Sequence, residues 1–178
     1  MPFTPYHLGP GMVFKAVLPE KFSLMVYGWS QVVMDIQPLI AIASGEAVWH
    51  GWTHTLAGAA GLGLVAAASG KYLAEWGVRL ITLGRRKIQI RWKAALLSSL
   101  IGSFSHILID GFLHHDMQPF WPILSVNPLL AFGVSFEEMQ LFCLVCGAIG
   151  IIFYLLRKIV TWKKKQGIRG KRAETTQA

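Results

Sequence analysis

Four apolar segments, each near the length of a membrane-spanning helix, constrain the fold of this chain most strongly. They lie at about 22–44, 53–69, 94–113 and 139–156. A helix needs about 20 apolar residues to cross the hydrocarbon core, and in that core it satisfies its backbone hydrogen bonds internally. The sequence therefore predicts an all-α integral membrane bundle of about four transmembrane helices. A further short helix is predicted over 5–18, ended by Pro19.

The composition supports a membrane protein of one domain. Hydrophobic residues make up 53% of the 178-residue chain and charged residues 15%, against about 25% charged in a typical soluble domain. We assign residues 1–160 to the membrane-embedded domain and 161–178 to a basic, disordered cytoplasmic tail. Residues 71–83 have the pattern of an amphipathic surface helix.

The net charge of +8 comes from two basic clusters, at 85–93 and 157–172. Both clusters flank apolar segments, where Lys and Arg mark the cytoplasmic side. The connection 114–138 contains no Lys or Arg and is predicted to lie outside. No base-stacking or groove-reading motif accompanies the charge, so the lipid bilayer is the expected partner and nucleic acid is not.

A stripe of histidine and aspartate at helical spacing lies in the third apolar segment. His106, Asp110 and His114 are four residues apart, which places them within ~40° of each other on a helix. Imidazoles and a carboxylate on one face suit zinc or a similar divalent ion. Ionisable groups in hydrocarbon are expensive and point to a functional site. The alternative is a hydrogen-bonded network that joins helices.

Metal-binding residue types also occur in the other segments. His50 and His54 are four apart at a helix start, and Asp35 lies in the first segment. The predicted orientation brings all of them to the outer side, with the His106 stripe. Taken alone, the His pair could cap or pack, and Asp35 could be a counter-ion or proton relay. His7 reaches this side only if residues 5–21 form a re-entrant or interfacial element.

Four blocks in order carry a resemblance to a known family. They are residues 1–11, 34–39, 50–55 and 105–116, followed by Pro119 and Pro122. Together they resemble the small bacterial membrane-bound metal-dependent hydrolases, which are distantly similar to zinc-dependent phospholipase C. The resemblance covers about residues 1–125 and implies a multi-pass protein of the bacterial inner (cytoplasmic) membrane with a divalent-metal centre. It implies metal ligands at His7, Asp35, His54, His106 and Asp110, with His50, His114 and Asp116 completing the site.

The predicted activity is metal-dependent hydrolysis of phosphoester or other ester bonds in an amphiphilic or lipid-linked substrate. One to three ions, zinc or else manganese, would activate a water and stabilise the developing charge. Asp116 and His114 are the candidate catalytic residues, and Asp116 would act as a base or orient a histidine. No Ser-His-Asp arrangement favours a nucleophilic mechanism.

Two other functions are compatible with the sequence. A metal transporter or sensor would also use intramembrane His and Asp, but it predicts such residues through the depth of the bilayer. Residues 53–69 contain no ionisable group beyond His54, and 139–156 contain none. A non-catalytic membrane protein with a structural His/Asp network would bind metal without turnover.

Overall fold

The computed structural model describes residues 5–46 and 48–177, and for residues 165 and 167–177 the backbone alone. The described chain contains five α-helices. They are α1 (Leu8–Val17), α2 (Leu24–Ala43), α3 (Leu56–Ile81), α4 (Trp92–Gly111) and α5 (Phe136–Gln177). Short 3₁₀ turns lie at Pro5–His7, Trp52–His54 and Pro128–Phe132. The predicted all-α bundle with a short N-terminal helix is confirmed.

Three of these helices are long and apolar enough to cross a membrane: α3, α4 and the Phe136–Lys164 part of α5. Helix α2 has 20 residues, which is long enough, but Gln31, Asp35 and Gln37 lower its mean hydropathy. Among the described helices, three rather than the predicted four therefore meet the criteria of both length and mean hydropathy. The polar residues of α2 face inward, since Gln31 and Asp35 are both buried.

Helix α3 is continuous through residues that the sequence predicted as a separate surface helix, 71–83. Lys71 is buried, and its Nζ donates to Glu75 Oε1 at 2.7 Å. The same oxygen accepts the backbone N–H of Ile90 at 2.7 Å. The charges therefore join α3 to the loop before α4. Helix α5 likewise continues through the stretch predicted to be disordered, whereas the domain boundary at 160 stays a prediction.

All five helices have one terminus at the same end of the bundle, which we call the His/Asp end. Helices α2 and α4 finish there, and α1, α3 and α5 begin there. The packing shows this directly: Ser23 contacts Ser98 and Gln31 contacts Gly102, so α2 and α4 run in the same direction. Helix α1 runs alongside α5, and Arg157 donates to the carbonyl oxygen of Ala16 near the end of α1, at 3.2 Å.

Helices α1 and α5 meet at a glycine contact. A β-carbon on Gly9 would overlap the carbonyl oxygen of Cys143, and one on Gly150 would lie 2.5 Å from the carbonyl carbon of Met12. The two backbones therefore approach closely, as small residues permit between membrane helices. This contact fixes the start of α1, and with it His7, at the His/Asp end.

Candidate metal centre

Seven of the eight predicted site residues form one cluster at the His/Asp end, and the eighth, Asp116, supports it. The seven residues lie on helices α1–α4 or in the chain next to them, and none lies on α5. They are His7 before α1, Asp35 on α2, His50 and His54 before α3, His106 and Asp110 on α4, and His114 after α4. The two centremost, His54 and His106, have no solvent exposure.

The turn that carries His50 and His54 is fixed from two sides. Thr55 caps α3, because its hydroxyl accepts the backbone N–H of Gly58 at 3.0 Å. The backbone N–H of Leu56, the residue after Thr55, donates to the carbonyl oxygen of Pro119 at 2.8 Å. The chain after α4 is therefore tied to the start of α3, and this brings Asp116 against His50.

Four buried side chains form the first candidate ion site. Ligand atoms of Asp35, His54, His106 and Asp110 all lie within 4.8 Å of one another. His106 Nε2 is 3.1 Å from Asp110 Oδ2 and 3.5 Å from Asp35 Oδ1. Two imidazoles and two carboxylates are a donor set that zinc and manganese accept.

A second candidate ion site adjoins the first. Ligand atoms of His50, Asp110 and His114 also lie within 4.8 Å of one another, and the His50 and His114 ring centres are 4.3 Å apart. Asp110 belongs to both groups. A carboxylate has two oxygens and about four lone pairs, so Asp110 could supply a ligand atom to each site.

The ring of His106 is oriented by a hydrogen bond between its Nδ1 and the side chain of Gln31. His106 Nδ1 lies 2.9 Å from Gln31 Oε1. The amide of Gln31 is itself fixed, because its Nε2 donates to the carbonyl oxygen of Gly102 at 3.0 Å. Gln31 Oε1 can only accept, so His106 donates from Nδ1 and its Nε2 is the nitrogen that faces the cluster.

His54 is oriented in the same way. Its Nδ1 lies 3.1 Å from Thr53 Oγ1, and this hydroxyl donates its own proton to Gln37 Oε1. Thr53 therefore accepts the proton of His54 Nδ1, and Nε2 is left as the lone pair. Among the described side chains, the Nε2 atoms of both His54 and His106 are buried without a hydrogen-bond partner, although carboxylates lie near His106.

Asp116 orients a third ring of the cluster, that of His50. His50 Nδ1 lies 2.9 Å from Asp116 Oδ1 and 3.0 Å from Oδ2. Partial burial of the Asp116 carboxyl raises its pKa, but the hydrogen bonds from His50 and from the backbone N–H of Trp49 outweigh burial and hold the pKa below its usual value. An ionised Asp116 behind His50 again turns Nε2 toward the cluster, as in carboxylate–histidine–metal arrangements.

Two imidazoles of the cluster are held in the neutral form, which is the form that binds metal. Burial, reinforced by the neighbouring His106 and His50 rings, lowers the pKa of His54 to about 3. Burial lowers the pKa of His114 to about 4, although Asp110 acts in the opposite direction. Both groups are therefore ready to accept a cation at neutral pH.

His7 and His115 take different places. His7 Nε2 lies 3.2 Å from Asp110 Oδ1, its ring centre is 4.8 Å from that of His106, and its Nδ1 is buried without a partner among the described side chains. It therefore belongs to the cluster but to neither of the two ligand groups. His115, the residue after His114, is exposed on the surface.

Gln31 and Thr53, which orient two of the rings, were not among the site residues predicted from the sequence. Gln31 carried a usable signal: it is a polar residue one helical turn before Asp35 on an apolar helix, so the two share a face. Thr53 had no comparable signal, since its role depends on the 3₁₀ turn and on Gln37 from another helix.

Gln31→Leu is expected to weaken metal binding by about 10–100-fold, because the proton on His106 Nδ1 loses its acceptor. The affinity for zinc can be measured by competition with a chelator of known strength. Gln31→Glu keeps an acceptor at the same place and is expected to remain closer to the wild type. Equal affinities in all three proteins would show that Gln31 does not position His106.

A family model described as YdjM inner membrane protein matches residues 15–171 of the chain. Because this match covers most of the sequence, the chain belongs to the YdjM inner membrane protein family. Searches of curated proteins and of solved structures gave no match.

Proposed function

We propose that this inner membrane protein is a metal-dependent hydrolase that holds two divalent ions in the His/Asp cluster. It would cleave phosphoester or other ester bonds of an amphiphilic, lipid-linked substrate. The observation that carries the proposal is the place of Asp110 in both ligand groups. Paired ions that share a carboxylate are typical of hydrolytic centres acting on phosphoesters.

The donor set fits divalent metal. Three rings present Nε2 to the cluster because each has its Nδ1 held by an oxygen: His106 by Gln31, His54 by Thr53 and His50 by Asp116. Imidazole nitrogen and carboxylate oxygen together favour zinc, with manganese as the next choice. A bound cation would also satisfy buried nitrogens whose desolvation otherwise costs about 1–3 kcal/mol each.

Divalent ions in such a site supply a water of lowered pKa and neutralise charge that develops on the ester oxygens. The side chains would contribute position and proton handling. Asp116 keeps the proton on His50 Nδ1 and is ionised, so it can stabilise positive charge on that ring or accept a proton from it. His114, neutral at the edge of the cluster, would help to hold the second ion together with His50 and Asp110.

Water would reach the cluster through a surface depression of about 270 Å³. His50 and Asp116 lie on its wall, and the exposed rings of Trp52 and Trp121 form its rim. The depression thus connects the protonatable pair to the exterior, while His54 and His106 stay buried behind it.

The hydrolase proposal explains the cluster better than the two alternatives. Transport needs ionisable groups along a path, but residues 56–70 of α3 and 94–105 of α4 contain no Asp, Glu, Lys, Arg or His. The Lys71–Glu75 pair is about 30 Å from His54 along α3 and joins α3 to the loop before α4. A purely structural network would be expected to give each buried ring nitrogen a hydrogen-bond partner, whereas among the described side chains His54 Nε2 has none.

The proposal is tested with detergent-purified protein and a chromogenic phosphodiester. We expect hydrolysis that stops when a chelator removes the metal and resumes when zinc or manganese returns. The double variant Asp35→Asn/His54→Ala should be inactive, and His115→Ala, which alters an exposed ring next to the cluster, should retain activity. Hydrolysis that survives the chelator or the double variant would refute the proposal.

A further inference from the structure

We infer that an apolar cleft beside the metal centre holds an acyl chain of a membrane phospholipid whose head group is the substrate. This inference rests on the proposed function and names its substrate class. The cleft has a volume of about 570 Å³, within the range of ligand pockets. It lies between the end of α4, the Pro128–Phe132 turn and the start of α5.

The lining of the cleft is apolar apart from Glu138. The main lining side chains are Leu108 on α4, Phe112 directly after α4, Phe132 on the turn, and Met139 and Phe142 on α5. Leu108, Phe132 and Phe142 are each more than half exposed, and the Phe112 and Phe132 rings pack edge to face with centres 5.6 Å apart. An open cleft of this kind, between two membrane-crossing helices, is accessible to the chains of surrounding lipids.

The cleft shares a wall with the metal centre. Ile109 and Met139 line the cleft, and they also line a small cavity bounded by His7, Asp110 and His114. That cavity has a volume of about 20 Å³, enough for about one water. A chain in the cleft would therefore place its attached ester close to Asp110, with the two buried side chains as the partition.

Polarity along the cleft indicates how a lipid would lie in it. Glu138, held by the backbone N–H and the hydroxyl of Ser135 at 2.8 Å, is at the start of α5. Phe142 is one turn further along α5, and Leu108 lies on α4 about one turn before Phe112, which directly follows that helix. The polar part of the lining is thus at the His/Asp end, and the apolar part extends away from it, as in a phospholipid.

The cleft would orient the substrate more than it would bind it tightly. Lipid tails are already in hydrocarbon, so moving a chain from the bilayer into the cleft gains little hydrophobic free energy. Contacts with the Phe rings would instead fix the distance between the chain and the metal centre. Such positioning raises the rate because it supplies a reactive geometry in advance.

The test uses the full chain in proteoliposomes that contain phosphatidylglycerol with a photoreactive diazirine on one acyl chain. After illumination and digestion, mass spectrometry locates the adducts. We expect them concentrated on Leu108, Phe132 and Phe142 relative to other lipid-facing positions of α5. Leu108→Trp fills the cleft and should reduce these adducts several-fold. Leu141→Trp, at an exposed position next to Phe142 but outside the cleft lining, should leave them unchanged.

Measurements of hydrolysis with long-chain and short phosphodiesters distinguish failure of this inference from failure of the proposed function. If the inference holds, Leu108→Trp raises the KM for a long-chain phosphodiester and leaves cleavage of a short soluble one unaltered. Adducts spread evenly over α5, or unaffected by Leu108→Trp while the short ester is still cleaved, would overturn the inference alone. Displacement of the label by a polyisoprenyl phosphate but not by unlabelled phospholipid would overturn the acyl assignment. Absence of bound metal and of all turnover would overturn the proposed function instead.

Discussion

Asp110→Asn is expected to abolish the proposed two-ion centre and to lower the proposed hydrolysis by more than about 100-fold. Even residues that only orient metal ligands cost about 10–100-fold when they are changed, and Asp110 contributes to both ligand groups. The amide is nearly the same size but carries no negative charge. Its NH₂ group would also donate into a cluster where His7 Nε2 and His106 Nε2 already lie at 3.2 and 3.1 Å.

Elemental mass spectrometry and phosphodiester hydrolysis on the same preparation measure this effect. Glu137→Gln is the matched control, because it makes the same acid-to-amide change on an exposed residue of the His/Asp end. We expect near-normal metal and activity in the control. An Asp110→Asn protein that keeps both ions and most of its activity would exclude Asp110 as the shared ligand.

Gly9→Ala is expected to destabilise the bundle by about 1–3 kcal/mol, the usual range for overpacking a close contact. The added methyl group would overlap the Cys143 carbonyl oxygen, and a backbone atom cannot rotate away as a side chain would. Helix α1 would have to move from α5. Since His7 directly precedes α1 and contacts the shared ligand candidate Asp110 at 3.2 Å, the variant should also lose metal affinity.

The stability change is measured as the temperature at which detergent-solubilised protein unfolds, with and without added zinc. Gly61→Ala is the control: the same substitution is made on α3, where a β-carbon meets no atom within 4 Å. Alanine there should be neutral or stabilising, since glycine in a helix costs about 0.5–1 kcal/mol relative to alanine. Equal unfolding temperatures for the two variants would contradict the close α1–α5 contact.

The helices were predictable because their signals are local. Runs of apolar residues and Pro19 define most of the helix positions, and the i, i+4 spacing of His106, Asp110 and His114 depends only on helix geometry. The surface helix over 71–83 was a wrong prediction for a physical reason. The pattern of charges near Lys71 resembles a solvated face, but Glu75 pairs with Lys71 and with the backbone of the next loop.

The cluster was predictable in part. Charge asymmetry placed Asp35, His54 and the His106 stripe at one end without any knowledge of packing. The position of His7 was left open, because it depends on the glycine contact between α1 and α5, which joins residues far apart in sequence. The roles of Gln31 and Thr53 also arise from contacts between helices, so spacing alone could not show them.

Electron paramagnetic resonance of the manganese-loaded protein tests the two-ion centre most directly. Two ions bridged by Asp110 would lie within about 4 Å, the separation in two-metal hydrolytic sites. We expect about two tightly bound manganese ions per chain and the spectrum of a magnetically coupled pair, replaced in Asp110→Asn by the signal of free manganese. A single uncoupled ion, or no tightly bound ion in the wild type, would contradict the two-ion centre.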